Sequence, residues 1–256
     1  MNINYVALSS TCDPYYLDFW PLVSKVWKLR FNYTPVLFLI HNDKSVKVSE
    51  EFGKVIYFDP LPESEYPLHI QAQCSRYWLP YTDLNSNWLT SDIDMIPISK
   101  QYFIDSLKPI SDDKIVSMNA RAADLSPCCY IAARGESFKE LLNLTDSYED
   151  YLKQIDYKSI TYHHKLYDNS PLYQHWGADE AHYNKKVREY PNKNKFVLTT
   201  RHGHTPKNTC KLRLDRLYAK YEQFDTNQIF KYIDFHSWRP YNKFKQKIDQ
   251  IISQLV

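Results

Sequence analysis

The stretch Asn87-Trp-Leu-Thr-Ser-Asp92-Ile-Asp94-Met-Ile-Pro97 sets a short apolar run against two carboxylates one residue apart. An apolar run bounded by polar and turn-forming residues reads as a buried strand, here Trp88 to Ser91. On extended backbone, residues i and i+2 project to one side, so Asp92 and Asp94 are expected to point together while Ile93 turns back to the core. Paired carboxylate oxygens suit a hard divalent cation, Mn²⁺ or Mg²⁺, and open α/β sheets collect ligands beyond the carboxyl ends of parallel strands. Two acids in a solvated turn would carry no such meaning. The buried strand before them favours the metal reading.

Outward from this stretch, short apolar runs alternate with longer amphipathic ones, the pattern of a mainly parallel sheet covered by helices. Strands are expected at Ile3 to Ser9, Val36 to Ile40, Lys54 to Phe58, Lys114 to Met118, Cys128 to Ala132 and Phe196 to Thr199. Helices are expected at Tyr15 to Leu29, Leu68 to Trp78, Lys100 to Leu107, Glu136 to Leu144, Asp179 to Val187 and Tyr241 to Ile252. The 256 residues fit a single α/β domain. Its expected division is a nucleotide-binding half over about 1–120, an acceptor-side half over about 121–232, and a tail over 233–256. With 4 glycines and no glycine-rich strand-to-helix turn, the chain has no P-loop and no dinucleotide fingerprint, so a phosphate must be held another way.

Composition excludes several classes. Hydrophobic residues at 43% and charged residues at 24% are globular values that argue against disorder. The 32 basic and 30 acidic residues interleave without forming the basic stripe of a nucleic-acid binder. No stretch approaches the ~20 apolar residues of a membrane span, and the first residues lack the pattern of a secretory signal. Five cysteines without framework spacing fit a reducing compartment, and the chain is expected to be soluble and cytoplasmic. On that expectation the sequons at Asn32 and Asn143 are chance matches. His163-His164 and His202-Gly-His204 lack the spacing of a closed zinc site.

Arg76-Tyr-Trp-Leu-Pro80, followed by the strand and Asp92-Ile-Asp94, resembles the R-x-x-L-P and D-x-D stretch of the GT-A glycosyltransferases of the glycogenin-like and bacterial galactosyltransferase-like family. The resemblance implies a Rossmann-like fold in which Arg76 helps hold a nucleotide-sugar and Asp92 and Asp94 bind metal and diphosphate. An ordinary salt bridge at the sheet edge is the other reading of Arg76. Val6 to Tyr16 is similar to the family's first strand and D-x-x-Y loop, which implies a nucleotide subsite at Ser9, Thr11, Asp13 and Tyr16, with the acid on the base and the ring stacked against it. Asp13 before Pro14 is also a good helix N-cap. Trp176-Gly-Ala-Asp179-Glu180-Ala-His-Tyr-Asn184 resembles the family's D-Q-D-x-x-N, with Glu for Gln and Ala for the second Asp. Asp179 or Glu180 is then the catalytic carboxylate, unless these acids only complement a helix dipole. Ile233 to Tyr241 resembles the family's C-terminal H-x-x-G-x-x-K-P-W with shortened spacing, which implies His236 as third metal ligand and Arg239 or Lys243 on the diphosphate.

The implied activity is metal-dependent transfer of a sugar from a nucleotide-sugar, UDP-sugar favoured, to a glycan or other hydroxyl acceptor. Alternatives from other classes are a non-catalytic carbohydrate- or nucleotide-sugar-binding protein and a sugar nucleotidyltransferase. The tail is expected to close over the diphosphate, and its removal before Asp234 to leave a folded, inactive chain.

Overall fold

The computed structural model describes residues 1–41, 46–118, 129–159, 175, 177–199, 213–216 and 220–256. His163, His164, His202, His204 and Cys128 lie outside them. The chain forms a seven-stranded sheet and a smaller three-stranded sheet, flanked by helices. The large sheet contains β1 (Tyr5–Thr11), β2 (Thr34–Ile40), β3 (Lys54–Phe58), β4 (Asn87–Thr90), β6 (Ile115–Ser117), β7 (Ile131–Arg134) and β8 (Phe196–Leu198), in the order β3-β2-β1-β4-β7-β6-β8. Pairs β3–β2, β2–β1, β1–β4 and β6–β8 are parallel, and β7 runs antiparallel to both its neighbours. The expected mainly parallel α/β architecture is the one observed.

Sequence accounts for the layering. Strand β2 is buried along Pro35–Ile40, the mark of a parallel strand covered on both faces. Alternate residues serve opposite cores. Val6, Leu8, Leu37 and Leu39 face one core with α2 (Trp20–Phe31) and α7 (Tyr241–Leu255). Ala7, Val36, Phe38 and Ile40 face the other, with α3 (Leu68–Trp78), α4 (Gly135–Leu142), α5 (Tyr148–Lys153) and α6 (Ala178–Glu189).

The expected helix from Tyr15 is split into α1 (Pro14–Leu17) and α2, because Pro21 in the first turn of α2 has no N–H to continue the ladder. Between Lys100 and Leu107 the chain makes one π-helical turn, Gln101–Asp105, in place of an α-helix. Asn32 and Asn143, both in sequons, sit at φ 58° and 52° and end α2 and α4 as left-handed caps, a conformation Asn tolerates better than most residues. Gly135 is required by close approach: a Cβ there would lie 2.5 Å from the Asp83 carbonyl oxygen and 2.6 Å from that of Pro80.

The second sheet was not legible as strands. It joins β5 (Met95–Pro97), β10 (Asp234–His236) and β9 (Arg213–Asp215), with β10 in the centre, antiparallel to β5 and parallel to β9. Among the described residues, no helix is long and apolar enough to cross a membrane.

Candidate active site

The order β3-β2-β1-β4 places successive strands on one side of β1 and then returns the chain to its other side. The carboxyl ends of β1 and β4 therefore border a topological switch point, where open α/β sheets leave a crevice. The turn after β1 carries Thr11, Asp13, Tyr15 and Tyr16; the turn after β4 carries Asp92 and Asp94.

Asp13 is the N-cap of α1, its Oδ1 accepting from the Tyr15 amide at 2.9 Å, and the Thr11 hydroxyl accepts from the Asp13 amide at 3.3 Å. The structural reading of Asp13 is thus realised, in a residue that remains exposed. Ser9 lies further back on β1, opposite Phe38. The Arg239 guanidinium lies over Tyr15 and Tyr16, 5.1 and 4.8 Å from the ring centroids, so the ring expected to stack on a base already stacks on a cation.

The shared direction expected of Asp92 and Asp94 is overturned. The backbone is not extended there: it turns at Ile93–Asp94, and the Met95 amide donates to the Asp92 carbonyl at 3.2 Å. That turn starts β5 and sends the two carboxylates to different partners. Asp92 pairs with Arg76, whose other terminal nitrogen pairs with Asp179. Asp94 is 4% exposed and takes three groups on its Oδ2: the Arg216 guanidinium donates at 2.8 Å, while Arg239 Nε and His236 Nε2 each lie at 3.4 Å. Burial alone would raise the Asp94 carboxyl, but the charges of His236, Arg239 and Arg216 outweigh it and hold it well below the ordinary carboxylate range.

The small sheet builds this cluster. Pairing of His236 with Met95 sets the imidazole beside Asp94, and the Ser237 amide donates to the Asp94 carbonyl at 3.0 Å. Strand β9 adds Asp215, whose Oδ2 is 3.2 Å from His236 Nδ1, and Arg216 follows directly. Asp215 and Arg216 were missed by sequence reasoning. Their strand is three residues long, too short for a period-2 signal, and only the alternation Arg213-Leu-Asp215 hints at one.

Other expected residues separate. Arg76 is buried in an ion pair, the sheet-edge salt bridge that its structural reading anticipated. Asp179 is 2% exposed, one oxygen on Arg76 and the other accepting the Glu180 amide at 2.8 Å, so it is poorly placed to take a proton from a substrate. Glu180, half-buried on the first turn of α6, is the carboxylate that retains access. Because Asp179, Arg76 and Asp92 form a continuous chain, the start of α6 is fastened to the turn after β4. The Lys243 ammonium lies over the ring of Phe244, 5.3 Å from its centroid, on the exposed side of α7.

Asp92, Asp94 and His236 were expected to hold Mn²⁺ or Mg²⁺. Asp94 and His236 do meet, but Asp92 faces Arg76, and among the described residues no three His, Cys, Asp or Glu side chains converge as a metal site. Two guanidinium groups also lie on Asp94 Oδ2. As a set, these residues do not fit the ion.

The sequence matches no protein-family model and no curated protein. Solved structures similar in outline include the galactosyltransferase LgtC in complex with donor and acceptor sugar analogues, at 9% identity and TM-score 0.45, covering 96% of this chain and 95% of that one. An active-site mutant of LgtC gives 9% identity and TM-score 0.47 over the same shares. The glycosyltransferase GlyE of Streptococcus pneumoniae TIGR4 gives 12% identity and TM-score 0.46, covering 98% of this chain and 63% of that one.

Proposed function

We propose that the chain is a GT-A glycosyltransferase that moves a sugar from a nucleotide-sugar, UDP-sugar favoured, to a hydroxyl of a glycan or other acceptor. The observation that carries this reading is the meeting, at the β1/β4 switch point, of an aromatic turn and a charged cluster, with Arg239 touching both. Nucleoside, diphosphate and sugar need aromatic, cationic and carboxylate surfaces respectively, in that order along one crevice. The turn Asp13–Tyr16 offers the first, the cations gathered at Asp94 the second, and Glu180 the third.

The chemistry follows from where charge develops. As the bond from the sugar's anomeric carbon to the diphosphate breaks, negative charge builds on the leaving phosphate and positive charge on the sugar. Cations fixed at Asp94 stabilise the first. Glu180 takes the acceptor hydroxyl's proton, or stabilises the sugar's positive charge. Asp179 positions the helix that presents Glu180.

The test incubates the purified chain with UDP-, GDP- and dTDP-sugars without acceptor, in Mn²⁺ and in EDTA, and measures release of nucleoside diphosphate. Slow hydrolysis of one donor series is expected. If no donor is hydrolysed and no nucleoside diphosphate shifts the melting temperature in either condition, the reading fails. Binding without hydrolysis or transfer would leave the non-catalytic nucleotide-sugar-binding protein as the better account.

A further inference from the structure

The charges at Asp94 carry one step beyond this function and rest on it. A carboxylate that is to receive a divalent cation should present open lone pairs. Asp94 instead anchors two guanidinium groups on its Oδ2, one from the residue after β9 and one from three residues beyond β10, with an imidazole beside them. Each guanidinium has five N–H donors in a planar fork, and Asp94 engages one nitrogen of each at these distances. The fork matches phosphate oxygens in pairs, which a point charge does not.

Both groups are held in advance. Arg216 is fixed by its 2.8 Å bond to Asp94. Arg239 is held from two directions, by Asp94 and by the faces of Tyr15 and Tyr16, and its side chain is 7% exposed. Preorganised donors stabilise developing charge without reorganising during the reaction. Arg216 and Arg239 set two positive charges against Asp94, with Asp215 paired to His236 beside them, in a chain that has no glycine-rich phosphate loop.

We infer that Arg216 and Arg239 bind the donor's diphosphate directly, with Asp94 as the residue that positions them, and that this site works without a divalent cation. The leaving diphosphate is then neutralised by two guanidiniums instead of a metal ion, and the bond broken is still that between the anomeric carbon and the phosphate oxygen.

The experiment measures binding of UDP, uridine and inorganic pyrophosphate by calorimetry, in EDTA and in Mn²⁺, with wild type and the variants Arg216→Gln, Arg239→Gln and Arg216→Lys, folding being checked by circular dichroism. In wild type, EDTA is expected to leave UDP and pyrophosphate affinity within about twofold. Each Gln variant is expected to weaken both anions by about tenfold to a hundredfold, the worth of a charge-assisted hydrogen bond. Uridine binding should stay unchanged in the two Arg216 variants. Arg216→Lys, which keeps charge but not the fork, should fall between wild type and Arg216→Gln.

UDP binding that requires Mn²⁺ and ignores the arginine variants overturns the inference and leaves the glycosyltransferase reading standing. Arginine-dependent pyrophosphate binding in EDTA, with no nucleotide bound, supports the anion grip and sinks the donor reading. If neither anion binds in either condition, both fall.

Discussion

At Arg76 two carboxylates share one buried guanidinium: Arg76 is 6% exposed and Asp179 is 2% exposed, while the Asp92 side chain is 33% exposed. Taking such charges from water is costly, and removing one partner leaves the other uncompensated. Asp179→Asn is therefore expected to lower stability by about 3–5 kcal/mol, read by urea denaturation. Glu180, its neighbour on the first turn of α6, is half-buried. Glu180→Gln should keep the wild-type denaturation midpoint while lowering kcat by about a hundredfold to ten-thousandfold, the usual range for a general acid or base. The reverse pattern, with Glu180→Gln fully active and Asp179→Asn stable but dead, would move catalysis from Glu180 to Asp179. The sequence offered both acids with equal claim, since their resemblance to a motif says nothing about burial. Only Arg76, brought from α3, separates them.

Elements differ in how far they could be read, and length explains the difference. Strands β1 and β2 run seven residues each and α3 eleven, long enough for apolar periodicity to show, and α3 has the bounds expected of it. Strands β5, β9 and β10 have three residues each, too few for a period-2 alternation to stand out, yet they assemble the Asp94 cluster. The expected geometry of Asp92 and Asp94 failed for the same reason, because the turn between β4 and β5 depends on a partner strand about 140 residues away in sequence. Helix α6 shows an element-level property with a measurable consequence. His182 on α6 is buried, with the edge of Tyr151 on α5 against it; burial first, then Lys186 and Lys185, push its pKa from 6.5 down to about 4, with Asp179 opposing. The unfolded chain then binds a proton more readily than the folded one between these values, so His182 costs no stability above pH 6.5 and progressively more as pH falls toward 4. The full loss is about 3 kcal/mol. Urea denaturation at pH 7 and pH 4.5 should show wild type losing more stability than His182→Gln as the pH falls. Equal pH slopes would show that His182 does not titrate in this window.

Over the whole molecule the mainly parallel sheet with its flanking helices was legible, because alternation of buried strands and amphipathic helices is a property of long segments. The role of the last residues was not. Residues 233–256 looked like a tail able to close over a diphosphate, since Arg239, Lys243, Lys245 and Lys247 fall close together while the apolar residues that pack are spread at helical spacing. In the structure β10 is the central strand of the small sheet, and Phe235, Trp238, Ile248, Ile251, Ile252 and Leu255 join the core that contains Trp27 and Val23. Fully burying each such side chain contributes about 1.5–3 kcal/mol, whereas a whole domain is stable by only about 5–15 kcal/mol. A chain ending before Asp234 is therefore expected not to fold, in place of the folded, inactive product that the sequence suggested. Loss of β10 also strips β5 and β9 of their shared partner and releases Arg239 and His236 from Asp94. The check compares the truncated chain with the full one by circular dichroism, thermal melting and limited proteolysis. The truncated chain should lack a cooperative transition and be cut throughout, while in the full chain the segment from Asp234 to Leu255 should resist cleavage with or without UDP. A truncated chain that melts cooperatively near the wild-type temperature would show that the last helix and strand lie outside the folding unit, and would restore the closing tail.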